Sequence, residues 1–312
     1  MNTINKENIS ANCGHVLVLK GGTSPEREIS LLSGEAVYQG LLRLGINASV
    51  LDVGDSVVAD LQNVKPDLVF NMLHGQGGED GTMQGLLELL KIPYTGSGVL
   101  ASALAMDKAK SKLIWQRLGL NTADFEMLSA ETDWQLVIDK FEVVVVKPVN
   151  GGSSLGIAIV KDAAGLQEQF ELASKFDSEV MAEKCVVGKE FSVGVIDKHL
   201  LPAVQLSTKR EFFDFDAKYI DEDTEIICPA PLSDDQRLEL NELVSAAYTS
   251  LDCKGLARVD VMQDKGGAFY LLEVNTIPGM TDHSFVPIAA KKSGTSFDEL
   301  LLTVLGLNQA AS

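Results

Sequence analysis

In the stretch GLARVDVMQDKGGAFYLLEVN, residues 255–275, two carboxylates (Asp260 and Glu273), the amide of Asn275 and the guanidinium of Arg258 lie within one short segment. Apolar residues alternate with polar ones on both sides of a glycine-containing turn, which predicts a two-stranded hairpin with its turn centred on residues 265–268. In that register Asp260 faces Glu273 across the two strands. Asn275 lies two residues beyond Glu273 and therefore points to the same face.

Two carboxylates directly opposite each other repel unless a cation lies between them. Two carboxylates and an amide oxygen are donors that suit Mg²⁺, which usually shares the rest of its shell with substrate phosphates. Arg258 falls on the same face as Asp260 and adds a fixed positive charge. An exposed hairpin with solvated charges is the alternative, and the apolar flanking residues disfavour it. The hairpin therefore predicts a magnesium and phosphate site.

A second candidate is the stretch VVVVKPVNGGSSLG, residues 143–156, in which a buried strand ends on Lys147 and a Gly/Ser loop follows. A Walker A loop has the opposite order, with glycines first and lysine last. Beside a divalent cation, a lysine at a strand end supplies a point charge for a nucleotide phosphate. The loop from Val149 to Gly156 can bring backbone N–H groups close to phosphate oxygens and can close as a lid. Without the other features, this loop would be interpreted as a plain turn.

The stretch AEKCVVGKE, residues 182–190, has the form of a hinge between two units. Its backbone could hydrogen-bond an adenine, and Glu190 could accept the ribose hydroxyls. Taken alone, the same stretch is equally well explained as a surface turn.

The elements that position these residues follow two patterns. From His15 to about Ala105, apolar strands alternate with helical spacing, which predicts a parallel, doubly wound sheet. Ligands bind such sheets beyond the carboxyl ends of the strands, where GGTSPERE (21–28) and HGQGGEDG (74–81) follow two of them. From about Met106 onward the pattern is α+β, with a helix, short strands and two hairpins. The polar, aromatic-containing segment 207–231 is too long for a routine connection, and such loops are often functional.

Composition excludes several classes of protein. The net charge of −18 repels nucleic acid and anionic membranes, so we expect neither as a partner. No apolar run approaches the about 18 residues that a membrane span needs, and the polar N-terminus does not resemble a secretory signal. The four cysteines show no CxxC pairing and suggest reduced thiols in the cytoplasm. The four histidines are dispersed, which disfavours a zinc site.

These residues, in this order, resemble the ATP-grasp enzymes and, within them, the D-alanine–D-alanine ligase family. The resemblance extends from about His15 to the final helix. Its most specific matches are HGQGGEDGTMQG (74–85), GLARVDVMQDKGGAFYLLEVNTIPGMTDHS (255–284), GGTSPEREIS (21–30) and DAKYIDEDTEIICPA (216–230).

The resemblance implies an ATP-grasp fold, α/β and α+β, preceded by a Rossmann-like N-terminal domain with a parallel sheet. The implied domains are residues 1–105 for substrate, 106–187 for the central subdomain, and 188–312 for the C-terminal subdomain with the magnesium and catalytic residues. The implied activity is ATP-dependent condensation of two D-alanines through an acyl phosphate, which releases ADP and phosphate and supplies peptidoglycan precursors. A homodimer in a bacterial cytoplasm is also implied.

The resemblance implies nucleotide and metal ligands residue by residue. Glu183, Val186 and Glu190 would surround adenine and ribose. The ATP-binding set as a whole is Lys108, Lys147, Ser154, Glu183, Lys184, Val186, Glu190 and Phe212. Two Mg²⁺ ions, with Mn²⁺ as an alternative, would bind Asp260, Glu273 and Asn275, with Glu273 bridging.

The implied substrate residues come from the same matches. Glu26 would hold the ammonium of the first D-alanine, with His74 nearby. Ser153 and Tyr219 would be partners of Glu26 that tie two loops into a closed lid. The other implied roles belong to Lys218 beside the transferred phosphate, Arg258 and the Gly279 backbone as oxyanion donors, and Ser284, with neighbouring Phe285, for the carboxylate of the second D-alanine.

Each residue alone has a simpler interpretation. Glu26 is a good first-turn residue beside the positive end of a helix dipole. His74 after a buried strand is explained as an ordinary hydrogen-bonded core histidine. Tyr219 could serve only to anchor its loop. Only the joint pattern favours the catalytic roles.

The sequence departs from the family at several positions. Val149-Asn150-Gly151 stands where Ser-Arg-Glu is common, and Cys185 stands where an aromatic residue is frequent. Phe213 and Phe215 occupy lid positions often held by tyrosine, and Phe285 replaces a common leucine. None of these differences removes a charged catalytic group.

Three other functions are alternatives for this sequence. A ligase of the same fold could use D-lactate or D-serine as its second substrate, although Tyr219 favours an amine because ester-forming relatives usually lack a tyrosine there. A dehydrogenase is disfavoured because no GxGxxG follows the first strand. A non-catalytic nucleotide-binding protein is disfavoured by one retained set: Lys147, Arg258, Asp260, Glu273 and Asn275.

Overall fold

The computed structural model describes residues 13–152, 156–207 and 225–309. The helices are α1 Arg27–Arg43, α2 Val57–Val64, α3 Thr82–Leu90, α4 Val99–Met106, α5 Lys108–Arg117, α6 Trp134–Phe141, α7 Ala163–Ala173, α8 Asp234–Ser250, α9 Phe285–Lys292 and α10 Phe297–Gln309. The strands are β1 Val16–Gly21, β2 Ala48–Val53, β3 Leu68–Asn71, β4 Phe125–Leu128, β5 Val144–Pro148, β6 Ala158–Val160, β7 Val180–Lys184, β8 Gly188–Ile196, β9 His199–Leu200, β10 Val204–Ser207, β11 Glu225–Ile227, β12 Leu256–Asp264 and β13 Phe269–Asn275.

The N-terminal strands form the predicted parallel sheet, in the order β2-β1-β3. Both faces of the central strand β1 are buried, because its side chains alternate between two apolar cores. Val16 and Val18 pack with α1 on one face, whereas Leu17 and Leu19 pack with α2 and α3 on the other. The prediction of a doubly covered sheet is confirmed.

The face of β1 that packs with α1 is completed by the end of the chain. Leu300, Leu301 and Leu305 of α10 belong to the same apolar cluster as Val16 and Val18, and all five are buried. Helix α10 thus packs against α1 and shares an apolar core with β1.

Two antiparallel sheets follow. One has the order β4-β7-β5-β6, and its core packs against α6 and α7. The other has the order β11-β10-β8-β12-β13, with β9 paired to β8, and packs against α8. The chain passes from the first sheet to the second between β7 and β8, where the sequence predicted a hinge.

Helix α5 lies between these two sheets. It begins after Asp107, whose side chain accepts a hydrogen bond from the Lys110 N–H at 2.8 Å and caps the helix. Trp115, fully buried, packs into the core of the larger sheet. The helix ends at Arg117, and Gly119 follows with a positive φ of 73°.

Candidate active site

The hairpin predicted from the sequence is formed by β12 and β13. Asp260 is aligned with Glu273, and Arg258 is aligned with Asn275. Paired residues of antiparallel strands share a face, so all four polar side chains project from one side of the sheet. The predicted alignment of Asp260 with Glu273 is confirmed, whereas the pairs nearer the turn, such as Val261 with Leu271, differ by one residue from the predicted register.

A β-bulge creates this register. The alignment shifts between Asp260 and Val261, because Val261 pairs with Leu271 and leaves Leu272 as an extra residue on β13. Without the bulge, Leu272 would stand opposite Asp260. Bulges commonly redirect a side chain next to a functional site, and here the bulge places Glu273 opposite Asp260.

Asp260 is buried and fully engaged by hydrogen bonds. The Arg258 guanidinium donates to both of its carboxylate oxygens, with Nη2 at 2.8 Å from Oδ2. Ser192 Oγ donates to Oδ1 at 2.7 Å. The Phe285 ring lies 5.7 Å from the Arg258 guanidinium carbon, within cation–π range. The guanidinium is therefore held between a carboxylate and an aromatic ring.

Lys108, the first residue of α5, joins the glycine-rich loop to the hairpin. Its Nζ lies 3.1 Å from Glu273 Oε2 and donates to the Gly151 carbonyl. Its backbone N–H donates to the Val149 carbonyl at 3.3 Å. The side chain is buried, so the start of this loop is fixed against the carboxylate edge of the hairpin.

The donor set on the hairpin fits Mg²⁺. Within the described parts of the chain, no three His, Cys, Asp or Glu side chains cluster as a metal site. The set is instead two facing carboxylates and one amide oxygen, hard donors that Mg²⁺ accepts when phosphate and water complete its shell. Arg258 and Lys108 supply the compensating positive charge in this structure.

Lys147 lies in a second, buried cluster. Its Nζ donates to Glu183 Oε1 at 2.7 Å, and Lys112 Nζ lies 2.9 Å from Glu183 Oε2. Burial alone would raise the pKa of Glu183, but the charges of the two lysines outweigh it and lower that pKa to about 2. Burial lowers the pKa of Lys112, opposed by the charge of Glu183. Sequence reasoning missed Lys112; the KxxxK spacing from Lys108 was its only signal.

Glu26 sits at the N-terminus of α1, but its side chain makes no capping hydrogen bond. A Cβ added at Gly75 would lie 2.7 Å from Glu26 Oε2, and one added at Gly152 would lie 2.4 Å from it. The carboxylate is thus enclosed by two glycines, one on the loop after β3 and one on the glycine-rich loop. The Glu26 side chain therefore lies against these two loops and does not cap α1.

His74 is buried, and its Nε2 has no hydrogen-bond partner among the described residues. Burial, followed by the positive charge of Arg258, lowers its pKa to about 4, so the imidazole is neutral at pH 7. The Ile277 backbone hydrogen-bonds the imidazole, as expected of a core histidine, whereas Nε2 has capacity for a further partner.

Glu79 is a further site residue that sequence reasoning missed, although it lies within HGQGGEDG (74–81). Its Oε2 accepts from the Gly75 N–H at 2.7 Å, and its Oε1 accepts from the Ile277 N–H at 3.2 Å. Burial, and then the negative charge of Glu26, raise its pKa to about 8. Glu79 thereby braces the loop after β3 against the loop that follows the hairpin.

Gly279 and Ser284 lie together beyond the hairpin. A Cβ at Gly279 would lie 2.8 Å from Ser284 Oγ, which accepts from the Thr281 N–H at 3.0 Å. Phe285, the next residue, begins α9 and carries the ring beside Arg258. The structure therefore brings together the residues predicted to bind the second substrate.

The residues predicted around adenine span the junction of the two antiparallel sheets. Glu183 and the exposed Lys184 end β7, Val186 lies in the connection, and Glu190 lies on β8. Five other predicted residues lie outside the described residues: Ser153, Ser154, Phe212, Lys218 and Tyr219.

One cleft is lined by residues of the N-terminal loops, of α5 with the glycine-rich loop, and of the hairpin. Its lining includes predicted residues from the loop before α1, from α5 and from the hairpin. The lining residues are Glu26, Glu79, Ala105, Met106, Lys108, Gly151, Gly152, Arg258, Glu273, Val274, Asn275 and Thr276.

Comparisons with known proteins agree with this geometry. Residues 114–306 match the family model of the D-ala D-ala ligase C-terminus, and residues 47–97 match that of the N-terminus. The chain is 48% identical over 297 residues to a D-alanine–D-alanine ligase of Saccharophagus degradans, covering 95% of each chain. It is 47% identical to one of Pseudomonas putida, over 94% of this chain and 92% of the other.

Solved structures show the same similarity. A crystal structure of D-alanine–D-alanine ligase from Bacillus anthracis superposes with a TM-score of 0.86 at 33% identity, covering 96% of this chain and 98% of the other. A second structure of the Bacillus anthracis enzyme, complexed with ATP, superposes with a TM-score of 0.84 at 32% identity and the same coverage.

Proposed function

The chain belongs to the D-alanine–D-alanine ligase family, and we propose that the cleft between the N-terminal loops and the C-terminal hairpin carries out its reaction. The reaction is ATP-dependent ligation of two D-alanines, which releases ADP and phosphate and serves peptidoglycan synthesis. The observation that carries the site assignment is the alignment of Asp260 with Glu273 and of Arg258 with Asn275, in a cleft that Glu26 also lines.

In the first half of the reaction, the carboxylate of the first D-alanine attacks the γ-phosphate of ATP. Glu26 holds the ammonium of this D-alanine, since its carboxylate is enclosed where the loops meet. Lys147 and Lys108 bind the nucleotide phosphates, because catalysis of phosphoryl transfer is chiefly positioning and charge neutralisation. The proposal also includes Ser153 as a partner of Glu26, Ser154 as an ATP ligand, and Lys218 beside the transferred phosphate.

In the second half, the amine of the second D-alanine attacks the acyl phosphate carbon, and inorganic phosphate leaves. Arg258 and the Gly279 N–H stabilise the oxyanion of the tetrahedral intermediate. Ser284 binds the carboxylate of the incoming D-alanine, and the Phe285 ring keeps the guanidinium in place. Because an acyl phosphate hydrolyses in water, the glycine-rich loop closes over the cleft, aided by Tyr219.

The nucleotide base binds at the junction of the antiparallel sheets. Glu183 and Val186 contact the adenine, with Lys184 and Phe212 beside them. Glu190 accepts the ribose hydroxyls. The passage of the chain from one sheet to the other at this point supports the assignment, because a hinge offers unpaired backbone groups to a planar base.

Asp260, Glu273 and Asn275 would hold two Mg²⁺ ions, or Mn²⁺, with Glu273 bridging. When bound, the metal supplies positive charge to the β- and γ-phosphates. Arg258 contacts both oxygens of Asp260, and Lys108 contacts Oε2 of Glu273, so these two cations hold the carboxylates that would bind the metal. Arg258 also supplies a fixed positive charge for the reacting carbonyl.

Phosphate release in the presence of ATP and Mg²⁺ tests the proposal, with D-alanine, L-alanine, D-serine or D-lactate added in turn. We expect release with D-alanine and little with the others. An ester product formed when D-alanine and D-lactate are supplied together would reassign the second substrate. No D-alanine-dependent phosphate release would leave a nucleotide-binding protein.

Assembly, location and domain limits belong to the same proposal. Leu89, Val99 and Leu100 expose a patch on the neighbouring helices α3 and α4 that supports a homodimer. Each helix in the described ranges is too short or too polar to cross a bilayer. We place the protein in a bacterial cytoplasm, with domain boundaries after residues 105 and 187.

A further inference from the structure

We propose that Lys112 is a positioning residue for ATP: it shares the carboxylate of Glu183 with Lys147, so that Lys147 keeps its positive charge for the nucleotide phosphates. The inference rests on the proposed role of Lys147 in phosphate binding. It adds a residue that neither the sequence motifs nor the family resemblance singled out.

Lys112 is placed with three polar partners. Its side chain is 0% exposed, and its Nζ lies 2.9 Å from Glu183 Oε2. It also donates to Thr122 Oγ1 at 2.6 Å and to the Ala123 carbonyl at 3.3 Å. Burial of an ammonium group is unfavourable unless ion pairs and hydrogen bonds offset the loss of its hydration. A lysine that served only to fill space would be replaced by a hydrophobic residue at lower cost.

These partners fix Lys112 to both sheets of the cleft. Glu183 ends β7 in the smaller sheet. Thr122 Oγ1 in turn donates to the Leu271 carbonyl at 2.8 Å, on β13 of the larger sheet. Lys112 also lies one helical turn after Lys108, so the two lysines project from the same side of α5. One turn of this helix thus carries a cation toward each of two carboxylates, Glu273 and Glu183.

The charges of the cluster explain why two lysines are needed. Lys147 lies 2.7 Å from one Glu183 oxygen and Lys112 lies 2.9 Å from the other. Two ammoniums and one carboxylate leave one net positive charge in a buried site. Asp124 also acts on Lys112, but it is exposed, so water screens its charge. Without Lys112, Glu183 would neutralise Lys147 and leave no net charge for a phosphate.

Glu183 Oε2 also retains hydrogen-bonding capacity. It is buried with Lys112 Nζ 2.9 Å away, and a carboxylate oxygen has a second lone pair, for which no other partner lies among the described residues. We infer that Lys112 holds this oxygen ionised and in place while it remains able to accept a hydrogen bond from a base amino group. Loss of Lys112 should therefore weaken discrimination of ATP from GTP as well as ATP binding.

The test is Lys112→Met, which keeps the length of the side chain and removes its charge. We expect the KM for ATP to rise about 10–100-fold, the usual worth of a charged hydrogen bond, with kcat and the KM for D-alanine within about twofold. Lys112→Arg should restore much of the ATP affinity. Lys110→Met is the matched control, because Lys110 lies on the same helix in an exposed pair with Asp107. An unchanged KM for ATP and an unchanged ATP-to-GTP ratio in Lys112→Met would overturn the inference.

A double-variant cycle with Glu183→Gln shows whether Lys112 acts through the carboxylate. With glutamine at 183, Lys147 is no longer neutralised, so adding Lys112→Met should change ATP binding, measured by calorimetry, less than threefold. A larger further loss would contradict the inference. This comparison is made entirely in the Glu183→Gln background, so it remains decisive if Lys112→Met alone does not fold.

Lys147→Met separates this inference from the proposed function. If Lys147→Met leaves the KM for ATP unchanged, the phosphate-binding role of Lys147 is wrong. If Lys147→Met raises that KM and Lys112→Met does not, only the role of Lys112 is wrong.

Discussion

Replacement of Arg258 by alanine should affect stability and catalysis by separable amounts. In the absence of metal, it leaves Asp260, which is 3% exposed, with the Ser192 hydroxyl as its side-chain donor among the described residues. Breaking one side of a buried ion pair typically costs about 3–5 kcal/mol. Loss of one oxyanion donor typically lowers kcat by about 10²–10³. We expect Arg258→Ala to show both effects.

Addition of Mg²⁺ should distinguish the effect of Arg258→Ala on stability from its effect on kcat. In the wild type, a metal at Asp260 must displace the guanidinium, whose Nη2 lies 2.8 Å from Oδ2. In Arg258→Ala that competition is gone and the unpaired carboxylate needs a cation. Mg²⁺ should therefore stabilise the variant more than it stabilises the wild type, while kcat stays low.

Chemical denaturation with and without Mg²⁺ measures the free energy of unfolding, and phosphate release measures kcat. Arg237→Ala is the matched control, because Arg237 pairs with Asp234 at 2.7 Å on the exposed surface of α8, where such pairs contribute about 0–1 kcal/mol. Near-normal turnover of Arg258→Ala would refute the oxyanion role. An unchanged metal-free stability would refute the reasoning about the buried pair.

Three further predictions follow from the cleft. Gly152→Ala should raise the KM for D-alanine at least about tenfold in a steady-state assay, since its Cβ would lie 2.4 Å from Glu26 Oε2. Glu79 binds its proton more tightly when folded, so stability should fall as the pH rises from about 4.5 to 8, and Glu79→Gln should remove that loss in denaturation curves. Glu183 has a depressed pKa, so its contribution is present above pH 4.5 and is lost as the pH falls toward 2; a Glu183→Gln variant should show a shallower acid transition by circular dichroism.

The sequence predicted best those features that depend on local periodicity. Alternation of side chains and a short turn determine which residues of β12 and β13 face each other, so Asp260 opposite Glu273 was predictable. The β-bulge at Leu272 was not predicted. Without it, the register of the two strands would shift by one residue and Leu272, not Glu273, would face Asp260.

The missed residues depend on contacts between distant segments. Lys112 lies in a polar helix whose sequence gives no sign of burial, and its carboxylate partner is 71 positions away. Glu79 bonds the Ile277 N–H across 198 positions. The pairing of Arg258 with Asp260 was also not predicted, since both were assigned to ligands and not to each other. Such contacts arise only when separate elements pack.

The packing of α10 on α1, the helix that covers β1, has a consequence for how the chain reaches its native state. Val37 and Leu41 of α1 are synthesised long before Leu301 and Leu305 of α10, yet all four are buried in one apolar cluster. The side of α1 that meets α10 must therefore stay uncovered until α10 has been made. Removal of α10 would expose apolar side chains of the N-terminal domain.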